Sequence, residues 1–212
     1  MTPWTKGLLG AVALMISACA STGGPAPTSV QRIPPPPASP AAGDDVQQRF
    51  ASALALMDQR QFDDAEAAFL SLCRETPVRS GPCTNLGILM ARAGRHEAAA
   101  DALTRAVEAR PDNAEALNLL GVMNRRLGRM DAAEQAYRQA LRHRPGYAAA
   151  HLNLALLYDD DLHQPVAALA HYRAWQQHRE DRDDPLPVIA WIRALEDAQR
   201  QAGIAVAHGS AR

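Results

Sequence analysis

The sequence is poor in several residue types that would point to a particular partner. Lysine occurs once, at Lys6, and the formal net charge of the 212-residue chain is only −1. A charge balance so close to zero gives no reason to expect a nucleic acid or an anionic membrane surface as the partner. Aromatic residues make up 5% of the chain, which favours a core packed mainly with alanine and leucine.

No group of residues in the sequence suggests catalysis. Serine, histidine and aspartate residues are scattered without a nucleophile motif. His163, His171 and His178 have no carboxylate or cysteine beside them that would complete a metal site, so we interpret them as exposed side chains. The acidic run at residues 159–161 is interpreted as a solvated turn at a helix end. The sequence therefore predicts a protein that is not an enzyme and has neither a cofactor nor a metal.

What the sequence does contain is an internal repeat with a period of 34 residues. Small residues recur at positions 8 and 20 of each repeat, a large apolar residue recurs at position 24, and proline stands at position 32 of the first three. Repeats of this length indicate helical hairpins that stack on one another. The four blocks, the last of which needs one extra residue, are residues 46–79, 80–113, 114–147 and 148–181.

These recurring residues resemble the tetratricopeptide repeat (TPR), in which each unit is a pair of antiparallel helices. In such a unit the small residues let the two helices approach, and Gly94 and Gly128 at position 15 end the first helix. The resemblance implies an all-α fold, a TPR solenoid of about four helix-turn-helix repeats over residues 46–181. The amphipathic segment 182–202 is predicted to form a C-terminal capping helix, and residues 203–212 a disordered tail.

The N-terminus has the features of a bacterial export signal. One lysine precedes an apolar run at residues 7–16, which is too short to span a bilayer. Residues 16–19 then resemble a lipobox, in which an aliphatic residue and two small residues precede an invariant cysteine. The resemblance implies that residues 1–18 are a lipoprotein signal peptide and that Cys19 becomes the acylated N-terminus. An ordinary signal peptide with a chance cysteine is the alternative.

The residues after Cys19 bear on where the protein is held. Ala20 follows the cysteine, where lipoproteins kept in the inner membrane tend to have aspartate, so the resemblance favours the outer membrane, with the protein lipid-anchored and facing the periplasm. Residues 19–45 are rich in proline and small residues and are predicted to be a disordered linker. This segment would hold the solenoid away from the membrane.

Two further cysteines, Cys73 and Cys83, remain as an even pair in a protein that is predicted to be exported. They flank the predicted turn between the first and second repeats, where the two thiols can meet. We predict a disulfide between them. Two buried cysteines that act as small apolar residues are the alternative.

The concave groove of the solenoid is the predicted binding site, because TPR proteins generally bind peptides or partner segments there. The groove-lining positions of the family carry an apolar column here, with arginines and asparagines beside it. Because position 9 is apolar, we expect an amphipathic protein or peptide segment carrying an acidic residue, rather than the C-terminal carboxylate that chaperone-binding TPR domains clamp. The alternative is that these residues pack between repeats. The candidate residues are Phe50, Leu54, Asn85, Ile88, Arg92, Asn118, Val122, Arg125, Arg126, Leu152, Asn153 and Leu156.

Two functions are compatible with a lipid anchor, a spacer and a groove. TPR lipoproteins of this size and layout resemble the pilotins of type IV pili and the TPR lipoprotein of tight-adherence (Flp) pili, which implies an assembly scaffold in the cell envelope. The alternative is an adaptor similar to TPR lipoproteins that regulate murein hydrolases, a periplasmic protease or cell-wall synthesis.

Replacing Cys19 tests the predicted anchor. We expect Cys19→Ala to abolish fatty-acid labelling and to move the protein out of the membrane fraction, because the thioether can no longer form. Metabolic labelling with a fatty-acid analogue and cell fractionation give the two readouts. The double variant C73A/C83A, which removes both cysteines outside the lipobox, should remain labelled and membrane-bound. A Cys19→Ala protein that still takes up label would contradict lipidation at this residue.

Overall fold

The computed structural model of the chain describes residues 42–75, 77–180 and 186–209. The predicted signal peptide, Cys19 and the linker up to residue 41 lie outside these residues. The described residues form nine α-helices and one π-helical turn. They are α1 (Ala42–Asp58), α2 (Phe62–Arg74), α3 (Ser80–Arg92), α4 (His96–Ala109), α5 (Ala114–Arg126), α6 (Met130–His143), α7 (Ala148–Leu156), the π-turn (Leu157–Asp161), α8 (Pro165–His178) and α9 (Leu186–Gly209).

The first eight helices form four antiparallel pairs, and each pair corresponds to one block of the sequence repeat. Within the pairs, α1 packs on α2, α3 on α4, α5 on α6 and α7 on α8. The second helix of each pair also contacts the first helix of the next, so the hairpins stack in sequence order, and α9 packs on α8 at the end. The predicted all-α solenoid of four hairpins and a final helix is confirmed for the described part of the chain.

The two helices of a hairpin approach closely where the sequence has its small residues. A Cβ atom added to Gly87 would lie 2.6 Å from Cγ of Leu103, and one added to Gly121 would lie 2.5 Å from Cε1 of Tyr137. Both distances are far shorter than carbon atoms tolerate, so position 8 faces position 24 across the hairpin. Ala99 and Ala133 at position 20 are fully buried in the same contact.

Each hairpin turns through a residue with left-handed backbone at position 15. Gly94 and Gly128 have φ angles of 75° and 74°, as expected of glycines that end a helix. Arg60 and His163 occupy the same position in the first and last repeats with φ angles of 62° and 53°. Side chains rarely adopt this conformation, so these two turns carry strain that the glycines avoid.

The extra residue of the fourth block is accommodated by the π-turn. The amide of Leu162 donates a hydrogen bond to the carbonyl of Leu157, five residues earlier, at 3.0 Å. A turn of this kind adds one residue to a helix without interrupting it. The first helix of the fourth hairpin is therefore one residue longer than in the preceding repeat, and α8 begins in the expected register.

The helices at the two ends of the described chain differ from the predicted bounds. The first helix begins at Ala42, inside the predicted linker 19–45, and α9 continues to Gly209, through most of the tail predicted to be disordered. Residues 203–209 are therefore helical rather than disordered, and they contain no proline that would end the helix. Val188 and Ile192 of α9 are buried against Trp175 of α8, which closes the core at this end.

Substituting the strained residue Arg60 tests the turn assignment. We expect Arg60→Gly to stabilise the protein by about 0.5–1 kcal/mol, because relief of left-handed strain outweighs the extra backbone entropy of glycine. Chemical denaturation gives the free energy of unfolding. The converse variant Gly94→Ala should lose a similar amount, since its Cβ would meet no atom within 4 Å and only the backbone conformation is penalised. A destabilised Arg60→Gly protein would contradict the assignment.

Candidate functional site

An apolar groove lies between α7, α8 and α9, near the C-terminal end of the solenoid. Its volume is about 400 Å³. Leu152 and Leu156, two of the predicted groove residues, form one wall of it. The other lining residues are Ala149, Trp175, Pro187, Val188 and Trp191. This groove is where the structure brings predicted site residues together with a mainly apolar surface.

The walls of the groove follow from the spacing of residues along their helices. Leu152 and Leu156 are four residues apart on α7 and therefore lie on one face, one turn apart. The Trp191 side chain remains 40% exposed, and its ring centre lies 5.7 Å from that of the buried Tyr172. Trp175 is only 4% exposed and supports the groove from below. The groove thus has a fixed base and an exposed indole on one rim.

One of the three arginines of the predicted groove, Arg125, is neutralised within the protein. Arg125 donates hydrogen bonds to the carboxylates of Asp161 at 2.5 Å and Asp160 at 3.0 Å, and to the carbonyl of Leu156 at 3.4 Å. Burial lowers the pKa of Arg125, but the two carboxylates outweigh this effect and raise it. Residues 159–161 were interpreted as a solvated turn; the Asp160 side chain is indeed 58% exposed, but that of Asp161 is only 23% exposed, and both carboxylates pair with Arg125.

Two of the three predicted asparagines bind each other, and the third bonds within its own helix. The amide of Asn153 donates a hydrogen bond to Oδ1 of Asn118 at 2.9 Å, which joins α7 to α5. Asn118 is only 5% exposed, so this contact belongs to the packing between repeats. Asn85 donates to the carbonyl of Gly81, one turn earlier in α3, at 3.0 Å. These bonds hold the inner helices in place. The ligand-binding role of the asparagines stays a prediction.

The remaining predicted residues do not form one continuous site. Phe50 packs edge-on against Phe69, with ring centres 5.9 Å apart, and lines a separate pocket of about 360 Å³ beside α3. The guanidinium of Arg92 lies 4.4 Å above the ring of Phe62, at a hairpin turn. Leu54, Ile88 and Val122 are half-buried, while Arg126 is exposed.

Comparison with known proteins agrees with this architecture. The family model for the tetratricopeptide repeat matches residues 84–148 and 125–185. The chain has the tetratricopeptide-repeat fold. Among solved structures, a crystal structure of MamA protein aligns with a TM-score of 0.65 at 20% identity, covering 79% of this chain and 90% of that one. Among curated proteins, none matches the sequence significantly.

Other solved structures share the fold at similar identity. A MamA fragment from Desulfovibrio magneticus RS-1 aligns with a TM-score of 0.57 at 18% identity, covering 66% of this chain and 79% of that one. The O-GlcNAc transferase of Thermobaculum terrenum aligns with a TM-score of 0.58 at 24% identity and covers 66% of this chain, but only 27% of the transferase. At these identities the likeness concerns the TPR fold alone.

The groove residues that sequence reasoning missed lie outside the first helices of the repeats. Trp175 belongs to the second helix of the fourth hairpin, and Val188 and Trp191 belong to α9. Trp175 stands at position 27, where the second and third repeats have alanine, and it packs beneath the final helix. In the sequence, this tryptophan in place of alanine was the sign that could have indicated an enlarged apolar surface at this end of the array.

In the described part of the chain, no helix has both the length and the apolar character needed to span a bilayer.

A disulfide joins the first hairpin to the second. Cys73 of α2 and Cys83 of α3 are bonded in the structure, with their Cα atoms 4.9 Å apart, and both are buried. Arg105 of α4 also donates a hydrogen bond to the carbonyl of Cys73 at 2.9 Å. The bond therefore fixes the place where the chain passes from one repeat to the next.

Reducing this bond is expected to lower the stability of the protein. The bond closes a short loop of sequence separation 10, for which the loss of unfolded-state entropy corresponds to about 2–3 kcal/mol. Thermal unfolding with and without a reductant measures the effect, and intact mass should rise by two hydrogen atoms per chain on reduction. The variant C73A/C83A is the control, and its midpoint should not respond to the reductant. An exported protein with two free thiols would show that the bond is not formed.

Proposed function

We propose that this chain is a non-enzymatic TPR scaffold that binds a partner protein in the groove between α7, α8 and α9. The observation that carries the proposal is the exposed indole of Trp191 beside Leu152 and Leu156, over the buried Trp175. Exposed aromatic and aliphatic side chains around a concave surface are typical of the central residues of protein interfaces. A scaffold needs such a surface and no reacting group.

The shape and charge of the groove favour an amphipathic helix or an extended apolar segment as the occupant. Apolar side chains of the partner would replace water over the aliphatic wall and the indole ring. An acidic residue of the partner would meet Arg126, which is exposed, rather than Arg125, whose charge Asp160 and Asp161 already balance. Apolar contact is therefore the main source of affinity, and the acidic residue a secondary one.

The lipid anchor and the location are part of the same proposal. Acylated Cys19 would hold the protein at the outer membrane on the periplasmic side, with the proline-rich segment as a spacer. The disulfide between Cys73 and Cys83 supports an oxidising compartment, since such bonds persist in exported proteins and are rare in the cytosol. A scaffold so placed would bring together components of an envelope machine, such as a pilus or a secretion system.

Photo-crosslinking in the native host tests whether the groove binds a partner. A photoreactive residue at Leu152 is expected to capture a defined partner, and Trp191→Asp is expected to reduce the capture at least tenfold, because a buried carboxylate without a counter-charge opposes apolar contact. Val166→Asp is the matched control, since Val166 is an apolar residue of α8 that is 72% exposed and does not line the groove. Circular dichroism checks that both variants fold.

The identity of the captured protein distinguishes the two functions. Secretin or pilus components would support the assembly scaffold, whereas murein hydrolases, a periplasmic protease or cell-wall synthases would support the adaptor. If Trp191→Asp and Val166→Asp capture the same proteins as the unmodified chain, the groove is not the binding surface.

A further inference from the structure

Three histidines form a cluster on the fourth hairpin, and none of them lines the apolar groove. Nδ1 of His151 on α7 lies 3.0 Å from Nδ1 of His171 on α8, and the two ring centres are 5.3 Å apart. The ring of His178 stacks on that of His151 at 6.0 Å. His151 and His171 are both half-buried. The cluster therefore joins the two helices of one hairpin through imidazole contacts.

The hydrogen bonds fix which nitrogen of each neutral ring carries the proton. Nε2 of His151 lies 2.9 Å from the carbonyl of Pro145, which can only accept, so Nε2 must donate. Nδ1 of the neutral His151 is then without a hydrogen and accepts from Nδ1 of His171. A second proton on His151 would have to sit on Nδ1, where it would face the N–H of His171. Once both rings are protonated, every ring nitrogen carries a hydrogen, so no acceptor remains and the bond between α7 and α8 is lost.

The same position of the repeat holds a different interhelical contact in the first hairpin. His151 stands at position 4, His171 at position 23 and His178 at position 30. In the first repeat, position 4 is Arg49, whose guanidinium pairs with Glu75 at position 30 at 2.5 Å. At position 23, where the fourth repeat has His171, each of the other three repeats has alanine. The histidines thus occupy a place where the first hairpin is closed by an ion pair.

The charges around the cluster disfavour added protons. Arg138 of α6 contributes positive charge near His171, although it pairs with Glu134 of the same helix at 2.8 Å. Tyr158 of the π-turn stacks on His171 at 5.7 Å and donates its hydroxyl hydrogen to Glu134. Arg144 and Glu180 line the pocket beside His178. Glu134 is thus engaged by two partners and does not face the imidazoles as a free counter-charge.

A metal ion is not the better explanation of the cluster. Within the described ranges, no group of three or more histidine, cysteine, aspartate or glutamate side chains is placed to hold one. The close Nδ1 pair is accounted for by the hydrogen bond between neutral rings.

We propose that the His151–His171–His178 cluster is an acid-sensitive latch, which holds α7 and α8 together while the rings are neutral and releases them when both His151 and His171 take up a proton. The released helix α8 carries Trp175 and the contact with α9, so opening would loosen the C-terminal end of the solenoid. This inference does not require that the groove binds a partner.

The direction of the pH effect follows from linkage. Burial, together with the nearby charges of His151 and Arg138, lowers the pKa of His171 to about 4, and burial also lowers the pKa of His151. In the unfolded chain the histidine pKa is about 6.5. Between about pH 4 and pH 6.5 the unfolded chain therefore binds more protons than the folded chain. The stabilisation is therefore present above about pH 6.5 and is lost as the pH falls toward 4.

Hydrogen exchange on the full chain tests the latch. Between pH 7.5 and pH 5.2, which lies above the range where most carboxylates titrate, we expect protection factors in α7 and α8 to fall about tenfold, after allowance for solvent screening of these half-buried rings. Protection factors correct for the intrinsic pH dependence of exchange. The double variant H151Q/H171Q keeps polar side chains but cannot titrate, so the fall should be absent. His143→Gln, which removes an exposed imidazole of α6 outside the cluster, should behave like the unmodified chain.

Two results would overturn the proposal. One is an equal fall in protection in the unmodified chain and in H151Q/H171Q. The other comes from the unmodified chain alone, by NMR titration of its imidazole resonances, and applies even if the double variant does not fold. We expect the His171 ring to titrate near pH 4, and midpoints at or above about 6.5 for both His151 and His171 would mean that the cluster does not resist protonation.

Discussion

The fold depends on the close approach of two helices within each hairpin, at the contact between position 8 on one helix and positions 20 and 24 on the other. At Gly121 there is no space for a single carbon atom, because the ring of Tyr137 occupies it. The position-24 side chains reach full burial only through this approach, and each such side chain contributes about 1.5–3 kcal/mol by leaving water. The stacking of hairpins, the disulfide and the final helix connect hairpins whose two helices are held together by this contact.

Each hairpin adds its own contacts to this common packing. Arg49 pairs with Glu75 in the first repeat, and Cys83 bonds to Cys73 of the preceding repeat in the second. The corresponding residue of the third repeat is Leu117, which is buried in the apolar core. The contact made by position 4 therefore differs in every repeat. It is an ion pair in the first repeat, a disulfide in the second, apolar packing in the third and an imidazole pair in the fourth. A solenoid tolerates such variation because each repeat contacts only its neighbours.

The sequence predicted the fold far better than the site, and the reason is physical. Period, helix pairing and the glycine turns follow from residue size and backbone conformation, which a sequence displays directly. The left-handed backbone at Arg60 and His163 was not predictable from residue type, because the hairpin turn imposes it against local preference. The candidate groove was predicted from the first helices of the repeats alone, so only Leu152 and Leu156 were placed in the apolar groove, whereas Trp191 and the other residues from later helices were not.

The charge of the site depends on contacts between repeats, which the positions within one repeat do not show. The fourth repeat contains one residue more than the others, and the π-turn absorbs it without shifting α8. The same turn directs Asp160 and Asp161 at Arg125, a residue 36 positions before Asp161, so one inserted residue changes the electrostatics of the preceding repeat. Because Arg125 is thereby balanced, the groove at the C-terminal end presents an apolar surface with an exposed indole. In the proposed binding mode, apolar contact therefore contributes more than charge, because the residue inserted into the fourth repeat brings the carboxylates that balance Arg125.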